Sequence, residues 1–362
     1  MLASATLSVL VAACSHLVAP GDPRIAIMGR IDRADSQRVR IGYPGVTLRL
    51  LVDGPSLAMR ASCTTGNCRL GVTVDGGARQ DLRLQKGEQR RSVFTAADSS
   101  RGPHTVEIVS LTEAWQGIVS IRTFETPHGR LLPAPPWPER RLLFIGDSVT
   151  CGEAIDRGAD CAIQHDPAGG ADGDLSYGLL IARALSAQAQ LVCYGGRGLV
   201  RDWRGRRDVP NAPQFWDLAV VDELPRLHPG ARWDHAGYRP DVVVVALGTN
   251  DFNLALPAFP DREEFVGAYV AFVRAIRARF PAAAVILTEG AIVSDDQDPR
   301  RPQKTALREA LAETGRRLGD PRVTVFPSAH YPGDACNAHP TREQHAAMAR
   351  DLEPVIRRAA GW

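Results

Sequence analysis

The chain has 362 residues, of which 44% are hydrophobic and 23% are charged, a composition typical of a globular protein with a substantial core. This length exceeds that of most single domains, so we expect two domains. The formal net charge of +2 provides no strongly basic surface, and we therefore expect no nucleic acid among the partners of the protein.

Residues 1–13 carry no charged side chain and end in small residues directly before Cys14. This pattern is typical of a bacterial lipoprotein signal, in which the apolar residues are removed and the thiol of Cys14 takes a lipid. It predicts a signal segment over residues 1–14 and an exported protein that is periplasmic, anchored in the outer membrane, or secreted. Contact with a membrane is expected only through this anchor. An ordinary cleaved signal peptide is the alternative.

Short segments in which apolar and polar residues alternate extend over residues 25–124. Val46, Leu48 and Leu50 form one such segment, and Val106 and Ile108 belong to another that follows a Gly-Pro turn. Short strands at this spacing predict an all-β sandwich of the jelly-roll type over residues 22–132. The segment that follows, residues 133–140, has four prolines within residues 133–138, so it is predicted to be a stiff linker between two domains.

From residue 141 onward, predicted strands and helices alternate. The segment 241–247 is apolar on both faces, as a central parallel strand covered by helices must be. Residues 141–362 are therefore predicted to form an α/β domain with a doubly wound parallel sheet of the flavodoxin type. The predicted strands are 141–145, 190–194, 241–247, 284–288 and 323–326, and the predicted helices are 177–187, 261–280, 304–318 and 341–359.

A serine and a histidine lie at the predicted edge of this sheet. Ser148 comes directly after the first strand, and His339 lies in the loop before the last helix, whose start is marked by the capping box of Thr341 and Gln344. In open α/β sheets the ligand crevice lies at the carboxyl ends of the strands. Because a serine hydroxyl needs a base to become a nucleophile, we predict that Ser148 is the nucleophile and His339 the base.

Two further turns with glycine follow strand-like segments. Gly196 lies in Gly-Gly-Arg-Gly, and Asn250 lies in Gly-Thr-Asn-Asp. The backbone N–H groups of Ser148 and Gly196, together with the side-chain amide of Asn250, are predicted to stabilise one developing oxyanion. Each turn alone is a weak signal, but four of them in order along one sheet edge favour an active site.

The cysteines indicate an oxidising compartment. Cys63 and Cys68 enclose a four-residue loop and are predicted to form a disulfide. Cys151 lies near the proposed nucleophile and Cys336 near the proposed base, so that either could pair with the other or with Cys161. The pairing among Cys151, Cys161, Cys193 and Cys336 stays open. Neither the cysteines nor the histidines have the spacing of a structural zinc site, so we expect no metal and no cofactor.

The segments around these residues resemble the SGNH (GDSL-type) hydrolase superfamily, and in detail carbohydrate esterase family 2. Two shorter segments of the first domain, GRID and LTEAWQG, extend the resemblance over nearly the whole chain. The longer matching segments are GDSVTCGEA from Gly146, GGRGLVRDW from Gly195, LGTNDF from Leu247 and CNAHPTREQHAAMA from Cys336.

The resemblance implies a sandwich domain followed by an SGNH domain. It also implies a serine esterase that removes acetyl groups from saccharides or polysaccharides, such as xylan or mannan, without a metal. Ser148 is then the nucleophile, Gly196 and Asn250 are the oxyanion donors and His339 is the base. The partner is an acetylated saccharide or polysaccharide.

The residues before His339 depart from the family pattern. An Asp often stands three or two residues before this histidine, where the chain has Cys336 and Asn337. A backbone carbonyl, Asn337 and the more distant Asp334 are the candidates for orienting the imidazole, and we prefer a Ser-His dyad held by a carbonyl.

The family also often has a Trp directly before the histidine, where this chain has Ala338. A tryptophan of the long insert 201–239 is the expected replacement for this aromatic surface, on which a sugar ring would stack. A tryptophan in such an insert is more often part of a core. The candidates are Trp203, Trp216 and Trp233, and further candidate substrate contacts are Asp147 and Arg197.

Two alternatives stay open. The first is a non-catalytic surface lipoprotein whose sandwich binds carbohydrate. The second is an SGNH lipase or thioesterase that acts on longer acyl chains, although no long apolar lid lies near the motifs.

Overall fold

The computed structural model describes residues 15–96, 102–156, 170–221, 231–333 and 338–362. Its first part consists of short strands, as the alternating pattern predicts. These strands are β1 (Ser15–Val18), β2 (Ala26–Met28), β3 (Val39–Ile41), β4 (Thr47–Asp53), β5 (Ser56–Cys63), β6 (Cys68–Val74), β7 (Gln80–Leu84), β8 (Gln89–Thr95), β9 (Pro103–Ser110), β10 (Val119–Pro127) and β11 (Arg130–Leu132).

These strands form two antiparallel sheets. One has the order β1-β10-β5-β8 with β3 beside β10, and the other has the order β11-β4-β9-β6-β7 with β2 beside β4. Leu48 and Leu50 of β4 are fully buried, whereas Arg49 between them is partly exposed. One face of each sheet therefore lies against the shared core, and the predicted sandwich is confirmed.

The second part is built on one parallel sheet, with helices between its strands. Its elements are β12 (Arg141–Gly146), α1 (Ser148–Cys151), α2 (Tyr177–Ala184), β13 (Gln188–Cys193), α3 (Ala212–Phe215), β14 (Val242–Ala246), α4 (Arg262–Arg279), β15 (Ala284–Thr288), α5 (Gln303–Leu318), β16 (Val323–Phe326) and α6 (Arg342–Ala360). Short 3-10 turns lie at Gly173–Leu175 and His235–Gly237.

The strand order of this sheet is β13-β12-β14-β15-β16, which confirms the predicted flavodoxin-like arrangement. Both faces of its strands are buried. On β12, Leu142 and Phe144 pack with α2 and α6, whereas Leu143 and Ile145 pack with α4 and α5. The same holds for β14, in the apolar segment 241–247 on which the prediction depends: Val242 and Val244 lie in the cluster with α2 and α6, and Val243 and Val245 in the one with α4 and α5.

One helix is shorter than predicted. The prediction extends this helix to residue 187, but α2 ends at Ala184 and β13 begins at Gln188. The backbone of Ser186 has a φ of 48°, in the left-handed region, which no helix can continue. The chain therefore turns directly into the strand.

The two parts of the chain are tied together by polar side chains of the sandwich. The buried guanidinium of Arg30 donates a 3.0 Å hydrogen bond from Nε to the side chain of Gln190 in β13. The hydroxyl of Tyr43 donates to the carbonyl of Phe215 in α3 at 2.8 Å. Residues 133–140 form neither helix nor strand. The domain boundaries given above stay predictions.

The last helix, α6, carries a histidine that lies in the core. His345 of α6 is fully buried, and its Nδ1 accepts a 3.2 Å hydrogen bond from the backbone N–H of Tyr177 at the start of α2. Burial, with a smaller contribution from His339, lowers the pKa of His345 from 6.5 to about 3. The folded protein therefore holds this imidazole neutral, while the unfolded chain protonates it below pH 6.5.

We expect this difference to make the fold sensitive to acid. Between pH 6.5 and pH 3 the unfolded chain binds a proton at His345 that the folded chain does not, so the contribution of His345 to the free energy of unfolding falls as the pH falls. The loss is about 2 kcal/mol on going from pH 6.5 to pH 5. Urea unfolding at several pH values measures it. His345→Gln should flatten the profile in this range, and replacing the exposed His330 should not; equal slopes for all three proteins would contradict the assignment.

Candidate active site

The carboxyl ends of three neighbouring strands form the edge at which the predicted site residues meet. In the parallel register, Gly146 of β12 lies opposite Cys193 of β13 and Ala246 of β14. Each strand then turns away, and the turns carry Ser148, Gly196 and Asn250 respectively. Residues from three separate parts of the chain therefore lie side by side.

His339 reaches the same edge from the far end of the chain. Its Nε2 lies 2.7 Å from the hydroxyl oxygen of Ser148. The loop that carries it is fixed by the start of α6, where the side chain of Thr341 accepts from the N–H of Gln344 and the side chain of Gln344 accepts from the N–H of Thr341. This distance allows the imidazole to take the proton of the serine hydroxyl.

The turn after β12 explains how the serine is held. Asp147 is the N-cap of α1, and its Oδ1 accepts a 3.1 Å hydrogen bond from the N–H of Val149. Its side chain is buried, and burial raises the pKa of the Asp147 carboxyl to about 6. Asp147 was a candidate substrate contact, but this position favours a structural role in which it shapes the helix start beneath Ser148.

The two predicted oxyanion donors, Gly196 and Asn250, have specific local surroundings. Gly196 has a φ of 74°, and a Cβ added there would lie 2.6 Å from Cδ1 of Trp203. Only glycine avoids both the strain and the overlap. The amide nitrogen of Asn250 donates to the carbonyl of Arg197 at 2.9 Å. Because an amide has two N–H groups, this bond orients the side chain and leaves a second donor for a substrate.

A buried carboxylate holds the loop beyond Gly196. The side chain of Asp251 accepts hydrogen bonds of 2.8 to 3.1 Å from the backbone N–H groups of three successive residues, Leu199, Val200 and Arg201. Asp251 follows Asn250 directly, so the turn after β14 fixes the turn after β13. Its role was not predicted from the sequence.

Two disulfides lie in the described chain. Cys63 is bonded to Cys68, the pair that the short loop predicts, and Cys151 is bonded to Cys193. The sequence leaves the second pairing open, because only the register of β12 with β13 brings the end of α1 to the end of the neighbouring strand. This bond joins the helix that starts with Ser148 to the strand that leads to Gly196.

Some candidates lie outside the described residues. Asp334 and Asn337, which were proposed to orient the imidazole, are among them, as are Cys336, Cys161 and the proposed lipid-bearing Cys14. Their roles stay predictions.

The tryptophan candidates have different surroundings. Trp203 is 45% exposed and lies against Gly196, whereas Trp216 is 4% exposed and packs on His235 and Phe272 in the core. Trp233 lies against the guanidinium of Arg30. Of the three, only Trp203 is placed at the catalytic edge with an exposed ring.

Arg197 has little exposed surface. Its side chain lies over the ring of Tyr194 and 3.6 Å from the buried carboxylate of Asp202. Its carbonyl is the group that orients Asn250. Its contribution to the site is therefore through the backbone, and a direct contact with substrate stays a prediction.

Two acidic residues beside the site were not predicted. The carboxylate of Glu153 lies 3.8 Å from Nε2 of His339, and the fully buried Glu113 of the sandwich accepts a 2.6 Å hydrogen bond from the N–H of Gly195. Sequence signals existed, since Glu153 lies five residues after Ser148 and Glu113 lies in the matching segment LTEAWQG. Nothing in the spacing of these segments indicates that the two meet.

The described residues contain no group of three or more His, Cys, Asp or Glu side chains that could hold a metal ion. In the same parts of the chain, each helix is too short or too polar to cross a membrane.

Comparison with known proteins decides the family. The model of the carbohydrate esterase 2 N-terminal domain matches residues 27–136, and that of the GDSL-like lipase/acylhydrolase family matches residues 144–351. An acetylxylan esterase/glucomannan deacetylase of Cellvibrio japonicus is 40% identical over 348 residues, which are 96% of this chain and 92% of that protein. The chain belongs to carbohydrate esterase family 2.

Solved structures agree with this membership. The structure of a family two carbohydrate esterase from Cellvibrio japonicus matches with a TM-score of 0.89 and 39% identity, over 97% of this chain and 99% of that one. A family two esterase from Clostridium thermocellum in complex with cellohexaose matches with a TM-score of 0.79 and 27% identity, over 93% and 99% of the two chains. This member of the family is therefore a GDSL-type ester hydrolase.

Proposed function

We propose that the protein removes O-acetyl groups from saccharides or polysaccharides through an acetyl-enzyme intermediate. The observation that carries the proposal is the 2.7 Å contact between the hydroxyl of Ser148 and Nε2 of His339 at the edge of the parallel sheet. The acetylxylan esterase of Cellvibrio japonicus, similar over nearly its whole length, supports a polysaccharide such as xylan or mannan as the substrate.

The first chemical step is the attack of the Ser148 oxygen on the acetyl carbonyl. His339 accepts the serine proton as the new C–O bond forms, and then returns this proton to the sugar oxygen as the ester bond breaks. Water attacks the acetyl-enzyme in the second step, with His339 again as the base. Acetate and the free serine are the products.

The negative charge that develops on the carbonyl oxygen is stabilised by three donors. These are the N–H groups of Ser148 and Gly196 and the amide N–H of Asn250 that does not bind the Arg197 carbonyl. The donors are fixed before the substrate arrives, since the turn geometry holds two of them and the Arg197 carbonyl holds the third. Losing one such donor typically costs roughly 10²- to 10³-fold in rate.

Trp203 is the group that we propose as the saccharide platform. The residue is 45% exposed, and its ring lies directly beside Gly196. A sugar whose acetyl group points at Ser148 would then have an aromatic surface next to it.

We also propose that the protein is exported as a lipoprotein with Cys14 as its lipid-bearing residue. The uncharged residues 1–13 directly before this cysteine support the proposal. The two disulfides support export independently, because disulfides persist in oxidising compartments.

Replacing the nucleophile tests the reaction. Ser148→Ala and His339→Ala should each lower kcat by roughly four to six orders of magnitude, because the activated hydroxyl is lost. Initial rates on acetylated xylan, acetylated mannan and p-nitrophenyl acetate, measured side by side, give this result, and a fluorophosphonate should label only proteins that keep Ser148. A wild-type protein that neither releases acetate nor reacts with the probe would disprove the proposed function.

Replacing Trp203 tests the saccharide platform. Trp203→Ala should raise KM for an acetylated oligosaccharide roughly three- to tenfold, the loss expected for one stacking contact, and leave KM for p-nitrophenyl acetate unchanged. Trp233→Ala removes a tryptophan from the same insert and serves as the matched control. An equal rise of KM for both substrates would show that Trp203 merely supports the loop.

The lipid anchor is tested on the mature protein. Cells fed a radiolabelled fatty acid should transfer the label to the wild-type chain and not to Cys14→Ser, since only the thiol takes the lipid. Mass spectrometry of the mature N-terminus provides the second measurement. An unmodified Cys14 at that terminus would refute the anchor.

A further inference from the structure

The loop between β9 and β10 brings a carboxyl group of the sandwich to the active site. Residues 111–118 form this loop, and Glu113 within it is fully buried. The disulfide of Cys63 and Cys68 packs beneath the loop: a Cβ added at Gly117 would lie 2.6 Å from one sulfur and 2.7 Å from the other. The loop that carries Glu113 therefore packs against a disulfide at Gly117.

Glu113 holds the oxyanion loop directly. Its Oε2 accepts the 2.6 Å hydrogen bond from the N–H of Gly195, the residue before Gly196. This bond fixes the peptide unit that ends at Gly195, and only the two dihedral angles of Gly195 separate that unit from the peptide whose N–H is the proposed oxyanion donor. A side chain of the first domain thus positions a donor of the second.

Glu153 meets Glu113 at the same glycine. A Cβ added at Gly195 would lie 3.1 Å from both carboxyl oxygens of Glu113 and 3.1 Å from Oε2 of Glu153. Glu153 itself follows α1, where its N–H donates to the carbonyl of Ser148 at 3.0 Å. The same Oε2 lies 3.8 Å from Nε2 of His339. Two carboxyl groups therefore converge between the oxyanion loop and the imidazole.

We infer that Glu113 and Glu153 work as one carboxyl pair in which an uncharged Glu113 positions the oxyanion loop and a negatively charged Glu153 stabilises the imidazolium form of His339. Both are positioning residues. The inference rests on the esterase function proposed above, because it assigns roles in that reaction.

The surroundings of Glu113 favour its uncharged form. Burial, and then the negative charge of Glu153, raise the pKa of Glu113 well above its ordinary value, and Asp147 adds to the effect. Two carboxylates this close cannot both ionise at low cost. A neutral carboxyl can still accept the N–H of Gly195 on one oxygen while it keeps a proton on the other.

A negative charge on Glu153 has a role because His339 becomes positively charged during the reaction. When the imidazole takes the serine proton, it becomes a cation, and a carboxylate nearby stabilises it. Glu153 faces this imidazole at 3.8 Å, and the charge of the imidazole also acts on Asp147 and His345. The variants below leave Asp147 and His345 unchanged.

Charge-removing variants test the inference. Glu153→Gln should lower kcat about tenfold with little change in KM, since the cation that forms on His339 during the reaction loses its partner. Glu113→Ala should lower kcat roughly tenfold to a hundredfold, because Gly195 loses its acceptor. Glu113→Gln, which mimics the uncharged acid, should restore most of this loss.

Each result also has an outcome that contradicts the pair. A Glu113→Gln variant as inactive as Glu113→Ala would show that Glu113 must be ionised. An unchanged kcat for Glu153→Gln, or a loss that appears only in KM, would remove its role towards His339. Glu309→Gln, at an exposed surface carboxylate, is the matched control. Thermal unfolding checks that each variant is folded. If Glu113→Ala does not fold, the activities of Glu113→Gln and Glu153→Gln still test the carboxyl pair. Inactive wild-type protein would instead refute the esterase function itself.

Discussion

Parallel hydrogen bonding between β12 and its two neighbours is the constraint on which the active site depends. The register sets Gly146, Cys193 and Ala246 level with one another, so the three turns that follow begin at the same height. A shift of one strand by a single residue would move its turn by about 3.3 Å and reverse the faces of its side chains. The strands are apolar on both faces and covered by helices, which makes such a shift costly.

The sandwich packs on the catalytic domain and also provides side chains that bind groups of that domain. Arg30 and Tyr43 extend into the second domain and bind groups on β13 and α3. Glu113 reaches further and contacts the loop that follows β13. The segments GRID and LTEAWQG, which carry the family resemblance in the first domain, thus each provide one of these contacts, from Arg30 and Glu113 respectively. Their sequence pattern reflects the junction between the domains more than the sandwich core.

Much of this arrangement could be predicted from the sequence, because strand patterns, turn residues and the capping box of α6 are local signals. The order of the strands follows from the flavodoxin-like fold that the alternation of strands and helices predicts. The meeting of Ser148 with His339 follows from the rule that active sites lie at the carboxyl edge of a parallel sheet. Contacts that depend on tertiary register could not be predicted in this way. The bond between Cys151 and Cys193 and the meeting of Glu113 with Glu153 belong to this class.

The bond between Cys151 and Cys193 has a consequence for where this protein can mature. It closes a segment with a sequence separation of 42 residues, and such a crosslink restricts the unfolded chain by about 4 kcal/mol in the chain-entropy description. That amount is a large fraction of the stability of an ordinary domain. A chain folded among reducing thiols would lose this restriction, so the protein reaches its full stability only where this bond can form and persist.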